Sequence, residues 1–326
     1  MTIGLIGLGN MGSAVANLVA SNGNKVLGWE YNADIVKAVN TTHENARYLP
    51  GISLHPDVNA TGDLNEIFET CPVIFVAIPS VFFHPTLEPF TKKGRNKLFV
   101  DLAKGIDRKT LLTSFQTLQM LFPESRHIML SGPSIANEFS RAMPTVVVLA
   151  GETGNGLLQV AQILENDYFR VRFSQDVIGV ELGGILKNSY AIGLGIFDGL
   201  SIKSINFRAS YLTIALEEIA KIGVELGAKK ETFLYLAGMG DLLATSLSEH
   251  SHNRRMGEFL AKGYSLSEIE KKMGVLPEGF NTLKITLYIA EKNHCSMPLA
   301  KGIWDVIHGR LEANKFVSTF IKDFIE

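Results

Sequence analysis

Chemistry can begin near the amino terminus, where Gly7, Gly9 and Gly12 form a G-x-G-x-x-G between the β-branched run TIGLI and the helical run MGSAVANLVA. In that context Gly7 allows a tight turn, Gly9 lets the backbone approach a pyrophosphate, and Gly12 lets helix pack closely on strand. The helix amino terminus then faces the phosphate charge. Glu30 lies twenty-one residues past Gly9, at the end of the next strand-like run, KVLGW. A carboxylate there accepts hydrogen bonds from the ribose hydroxyls of an adenosine, unless it is turned to solvent. It would also meet a 2′-phosphate with a like charge, and neither Tyr31 nor the next few residues supply an arginine. NAD is therefore the expected cofactor, with NADP admitted second.

A second group of polar residues lies far along the chain. Lys187, in ELGGILKN, has Gly183 one turn earlier on the same helical face, which predicts a bare surface through which a small molecule could reach the ammonium. An ammonium withdrawn from water gives up its proton more readily, so Lys187 could act as general acid in a ketone reduction and as base in the reverse, a contribution of about 10²–10⁴ in rate. The rival reading, a snorkelling surface lysine, sits badly with so glycine-rich and apolar a helix. Asp241 and Thr245 are four apart and can face one polar ligand, although Asp241 could instead cap a helix after Gly240. Lys104 follows the strand-like LFVDLA and so belongs at the carboxyl edge of a sheet, where open α/β sheets bind ligands. In SHNRRMGEFLAKG a helix is expected to start at Ser251 or Asn253 and to stop at Gly263. Arg254 and Arg255 then fall in its first turn, where cations oppose the helix dipole unless an anion binds; the alternative is a solvated pair.

These groups need a frame, and the chain of 326 residues is long enough for about two domains. The first half alternates TIGLI, KVLGW, VIFVAI, LFVDLA, HIML and TVVVLA with amphipathic stretches such as KTLLTSFQTLQML, the pattern of a parallel α/β sheet. From VIGVELGGILKNSYAIGLGI onward the apolar residues recur at helical spacing. The expected organisation is an α/β Rossmann-like dinucleotide-binding domain over residues 1–176, followed by an all-α substrate domain over 177–326. Thirty-one basic and thirty-three acidic residues leave a charge of -2, which supplies no general field for nucleic acid or an anionic membrane. Cys71 and Cys295 make no disulfide framework, and the apolar start lacks the charged onset of a signal peptide, so a reducing cytoplasm is expected. No uninterrupted apolar stretch reaches eighteen residues, so no membrane insertion is expected. His250 and His252 have no third ligand at convincing spacing, so no metal is assigned.

Three blocks of the second half, ELGGILKN, ETFLYLAGMGDLLAT and SHNRRMGEFLAKG, together with GLGNMG, AKGI at Lys104 and SGPSIANEF, resemble the NAD(P)-dependent glycerol-3-phosphate dehydrogenases nearly end to end. The resemblance implies a cytoplasmic enzyme, usually a homodimer, that interconverts dihydroxyacetone phosphate and sn-glycerol 3-phosphate, with Lys187 as the catalytic lysine. For the phosphorylated substrate it implies Lys104, Gly132, Ser134, Asp241, Thr245, Ser251, His252 and Asn253. For the cofactor it implies Gly7, Gly9, Asn10, Met11, Gly12, Glu30, Tyr31, Lys104, Ala136, Arg254, Leu276 and Glu278. Three features depart from the family pattern: His252 stands where the family usually has the arginine of Ser-Arg-Asn, Tyr31 where its NADP users often carry arginine, and the carboxyl-terminal GRLEANKFVSTFI matches only weakly, with nothing in it that suggests chemistry. The competing readings are another β-hydroxyacid dehydrogenase with a carboxylated substrate, and a catalytically impaired NAD-binding protein.

Overall fold

The computed structural model describes residues 1–107, 110–152, 154–248 and 251–323, and the chain divides into two compact units, Met1–Val177 and Ile178–Glu326. In the first unit β1 (Thr2–Ile6), α1 (Asn10–Ser21), β2 (Lys25–Trp29), α2 (Ala33–Thr42), β3 (Val58–Thr61), α3 (Leu64–Thr70) and β4 (Val73–Val76) follow in order. After them come α4 (Phe83–Leu87), β5 (Leu98–Asp101), α5 (Ser114–Leu121), β6 (Arg126–Ser131), α6 (Ala136–Phe139), β7 (Thr145–Ala150), α7 (Asn155–Leu164) and β8 (Phe169–Ser174).

The strands form one sheet in the order β3-β2-β1-β4-β5-β6-β7-β8. Its first six strands are parallel, the dinucleotide-binding order with its topological switch between β1 and β4. Every residue of β4 and β5 is buried, because helices cover both faces and a central parallel strand must be apolar on each. Ile3, Leu5, Val73, Phe75, Leu98 and Val100 pack on one side, and Ile6, Ile74, Val76 and Phe99 on the other.

The sheet departs from the sequence expectation in three places. β7 runs antiparallel to β6, and the connection between them carries only the four-residue α6, where the sequence pattern predicts a parallel sheet throughout. The strands β3 and β8 are edge strands whose burial alternates; the sequence reading did not single out their VNAT and FRVRFS. Finally, α5 begins at Ser114 behind a capping box of Thr113 and Gln116, so Thr110–Leu112 lie outside the helix expected from KTLLTSFQTLQML.

The second unit is helical throughout its described length: α8 (Val177–Gly199), α9 (Ile205–Glu225), α10 (Lys230–Phe233), a π-helical turn (Leu236–Gly240), α11 (Asp241–Leu247), α12 (His252–Ala261), α13 (Leu266–Met273), α14 (Glu278–Lys292), α15 (Pro298–Ile307) and α16 (Ala313–Asp323). Buried along almost its whole length, α8 forms the axis of a core that includes Tyr190, Phe197, Tyr211, Phe316 and Phe320. Tyr190 is fixed by Glu218, a buried carboxylate that accepts from the Tyr190 hydroxyl at 2.9 Å and from the backbone N–H groups of Leu299 at 2.6 Å and Ala300 at 3.0 Å. The same carboxylate satisfies buried N–H groups at the start of α15 that have no acceptor within their own helix.

Candidate active site

The nucleotide end is built at the carboxyl edge of the first unit's sheet. Gly7 has a φ of +99°, and a side chain at Gly12 would overlap the Gly7 carbonyl oxygen, so both glycines are required by the approach of α1 to β1. Gly9 is the N-cap of α1, with no side chain capping the helix. A carbon added at Gly9 would meet nothing of the protein within 4 Å. The space over the helix amino terminus is therefore open, and a pyrophosphate fits there against backbone N–H groups. The turn is held by Asn45, 2% exposed, whose Nδ2 donates to the Leu8 carbonyl at 2.7 Å and to Ser13 Oγ at 2.9 Å. Nothing in the spacing of the sequence pointed to Asn45.

Glu30 is 3% exposed, and its Oε1 accepts from the Asn32 N–H at 3.1 Å. The carboxylate is thus tucked against the end of β2 rather than turned to solvent, while Tyr31 is 72% exposed. Asn10 donates to the Tyr48 carbonyl at 2.7 Å, and Met11 is half-buried. Half-buried Lys104 follows β5 by three residues, on the same edge. After β6 comes Gly132, with φ +104°, whose carbonyl accepts from Ser134 Oγ at 3.0 Å; Ala136 opens α6. Parallel β1, β2, β5 and β6 all end on this edge, which gathers these cofactor and substrate candidates on one side of the sheet. The open cap at Gly9, the close pass at Gly12 and the buried acceptor at Glu30 together fit a dinucleotide.

In the second unit Lys187 is 7% exposed. Its Nζ donates to Asp241 Oδ1 at 2.5 Å, to Thr245 Oγ1 at 2.5 Å and, more weakly, to the Asp241 carbonyl at 3.4 Å. Asp241 is the first residue of α11, behind Gly240, and is 2% exposed. The shared face of Asp241 and Thr245 is thus turned to the ammonium, and the carboxylate does not cap its own helix. The role expected of Gly183 is corrected: a carbon there would lie 2.5 Å from the Ala237 carbonyl oxygen. Its bare face receives the backbone of the π-helical turn, not a small molecule.

The SHNRR segment also differs from expectation. Ser251 caps α12, accepting from the Arg254 N–H at 3.3 Å, and Gly263 follows the helix end in the left-handed region. Asn253 Oδ1 accepts from the Gly279 N–H at 3.0 Å, and the Gly279 carbonyl accepts from Ser189 Oγ at 3.3 Å. The starts of α12 and α14, with Glu278, are thereby joined to α8 two residues past Lys187; Leu276, just before α14, packs on the core. Arg254 is not an anion-ready cation. Its Nε and Nη2 bind Asp198 Oδ2 at 2.8 and 2.7 Å, and its Nη1 donates to the carbonyls of Ser246 at 2.9 Å and Ser248 at 2.6 Å. His252 and Arg255 are exposed, the latter with Cζ 5.6 Å from the Phe259 ring centre. His250 lies outside the described residues, among which no group of three or more His, Cys, Asp or Glu could hold a metal.

Residues 2–156 match the family model of the NAD-dependent glycerol-3-phosphate dehydrogenase N-terminus, and residues 176–318 that of its C-terminus. The chain belongs to the NAD-dependent glycerol-3-phosphate dehydrogenase family. A glycerol-3-phosphate dehydrogenase [NAD(P)+] of Carboxydothermus hydrogenoformans is 36% identical over 312 residues, covering 94% of this chain and 92% of that one. One from Pseudomonas aeruginosa is 38% identical over 305 residues, covering 94% and 89%. The crystal structure of glycerol-3-phosphate dehydrogenase from Coxiella burnetii superposes with a TM-score of 0.92 at 30% identity, covering 98% of each chain. A D-mandelate dehydrogenase, at 14% identity and a TM-score of 0.61, shares the fold alone. Both the Rossmann-like first half and the helical second half thus fall within one family, and the carboxylated-substrate reading is not favoured.

Proposed function

We propose that this protein catalyses reversible hydride transfer between a nicotinamide cofactor and dihydroxyacetone phosphate, giving sn-glycerol 3-phosphate, with NADH preferred over NADPH. The observation that carries the reading is Lys187, a nearly buried ammonium held by Asp241 and Thr245 in the helical unit of a chain whose other unit is built to hold a dinucleotide. A nicotinamide bound in the first unit would supply the hydride for the carbonyl carbon. Lys187 gives a proton to the carbonyl oxygen as negative charge develops there, and its neutral amine takes the proton back in the oxidation direction. Asp241 stabilises the ammonium and aims Nζ, and Thr245 fixes it from the next turn of α11. The substrate's phosphate is read as lying toward the amino end of α12, near Ser251, His252 and Asn253, with exposed His252 in place of the arginine of the family's Ser-Arg-Asn and exposed Arg255 as the nearby cation.

The NADH preference rests on buried Glu30, which accepts the ribose hydroxyls and repels a 2′-phosphate. No described helix is long and apolar enough to cross a membrane, and both cysteines are free and buried; the reading is of a cytoplasmic homodimer. In a steady-state assay with NADH, dihydroxyacetone phosphate should be turned over much faster than ketones bearing a carboxylate. Lys187→Met should lower kcat at least about a hundredfold with NADH binding retained. A Lys187→Met protein with near-normal kcat would remove the lysine from the mechanism.

A further inference from the structure

The residues directly after Glu30 supply no cation, but the fold brings one back from farther along. The segment between α2 and β3 returns across the amino end of α1 and is pinned there twice. Asn45 is bound to the Leu8 carbonyl and to Ser13, and the Tyr48 carbonyl accepts from Asn10 of the glycine turn at 2.7 Å. Arg47 lies between these two anchors. It is exposed, with Cζ 5.2 Å from the centre of the Tyr48 ring. The Tyr48 hydroxyl lies close enough to Tyr31, Glu30 and Arg47 for all three to act on it electrostatically. At the end of β2 the Glu30 carboxylate is thus fixed on the inside, with an acceptor oxygen already engaged by Asn32, and the Arg47 guanidinium lies on the outside against the Tyr48 ring.

A ribose bound to Glu30 would direct a 2′-phosphate away from the buried carboxylate and toward the exposed side that Tyr31, Tyr48 and Arg47 line. We propose that Arg47 is the specificity residue that admits NADP(H): its guanidinium leaves the Tyr48 face to take the 2′-phosphate, offsetting the repulsion from Glu30. Arginine suits this because its planar fork stacks on an aromatic ring in one state and binds phosphate in the other, whereas lysine offers a single hydrated point charge. The chain then uses both cofactors with NADH ahead, and the margin between them is set by the opposition of Glu30 and Arg47.

This inference rests on the reading of the Gly7–Gly12 turn as the dinucleotide site, and its test separates the two. Two probes that cannot react, ADP-ribose and 2′-phospho-ADP-ribose, are titrated calorimetrically into the full-length protein and into Arg47→Gln and Arg47→Lys. Arg47→Gln should weaken 2′-phospho-ADP-ribose about ten- to a hundredfold, as expected for loss of charge-assisted hydrogen bonds, and leave ADP-ribose within about twofold. Arg47→Lys should fall between. The salt dependence of 2′-phospho-ADP-ribose binding should also become shallower in Arg47→Gln. Equal weakening of both probes would mean that Arg47 acts by packing Tyr48, and an unchanged 2′-phospho-ADP-ribose affinity would mean that it does not reach the phosphate; either overturns the proposal. Failure of ADP-ribose to bind the unaltered protein would instead overturn the dinucleotide site itself.

Discussion

A single methyl group placed at Gly183, which touches no reacting atom, should slow the reaction. The carbon of Gly183→Ala would lie 2.5 Å from the Ala237 carbonyl oxygen and 2.9 Å from its carbonyl carbon. To reach the 3.0–3.4 Å that real side-chain carbons tolerate, the π-helical turn must retreat by about 0.5–0.9 Å. It has no room behind it, because Gly238 packs directly on the backbone of Phe233. The displacement is therefore passed along the turn from Ala237 to Asp241, four residues on, and lengthens the 2.5 Å contacts that hold Lys187 Nζ. A misplacement approaching 1 Å at a catalytic group costs up to about 10²-fold, so kcat should fall about ten- to a hundredfold. The overlap itself costs about 1–3 kcal/mol, against about 0.5–1 kcal/mol that alanine gains over glycine in a helix interior, so kcat is compared only for protein that thermal unfolding shows to be folded. The assay is kcat and KM for dihydroxyacetone phosphate, with thermal unfolding and ADP-ribose affinity as controls. A folded Gly183→Ala protein with kcat within twofold of the unaltered one would refute the reasoning, because the turn would then yield without moving Asp241.

Arg254→Gln should lower stability by about 2–3 kcal/mol in urea unfolding, because it breaks a mostly buried ion pair to Asp198 and strips the Ser246 and Ser248 carbonyls of their donor. It should also reduce kcat by loosening Thr245, whereas a change in cofactor affinity alone would give Arg254 the cofactor-binding role that the family resemblance implies. His127 provides a pH dependence of stability: its ring is largely buried between Phe99 and Phe115, its Nε2 has no partner, and burial pulls its pKa down to about 4 although a backbone hydrogen bond at Leu118 opposes the shift. Unfolded histidine titrates near 6.5, so the unfolded chain binds the extra proton between those values. Stability should be full above about pH 6.5 and decline as pH falls toward 4, by up to about 3 kcal/mol for this group. His127→Phe should flatten that part of the urea-midpoint profile, and parallel profiles for the two proteins would exclude His127 as the cause.

Much of the first unit was legible in the residues because its rules are local. The turn at Gly7–Gly12 and the start of α1 lie within six residues of one another, and the demands of a tight turn and a close helix–strand approach can be met there only by glycine. The central strands were legible because burial on both faces forces continuous apolar runs such as VIFV and LFVD. At the edges the signal weakens. VNAT and FRVRFS face solvent on one side, so their composition does not separate them from loops, and the reversal of β7 against β6 is a pairing that the apolar run TVVVLA does not itself express.

The second unit marks the limit of such reading. Periodicity along the sequence determined its helices, and residue chemistry together with resemblance to a known family singled out Lys187, Asp241 and Thr245. Only the tertiary structure decided that the three meet, that the glycine beside the lysine is filled by Ala237, that Arg254 is held by Asp198, and that Arg47 returns to the end of β2. A local window reports what a segment's own backbone and burial require. Contacts such as Gly183 with Ala237, or Arg254 with Asp198, join residues more than fifty positions apart, and their existence depends on packing shape and loop closure, to which no single segment carries the information.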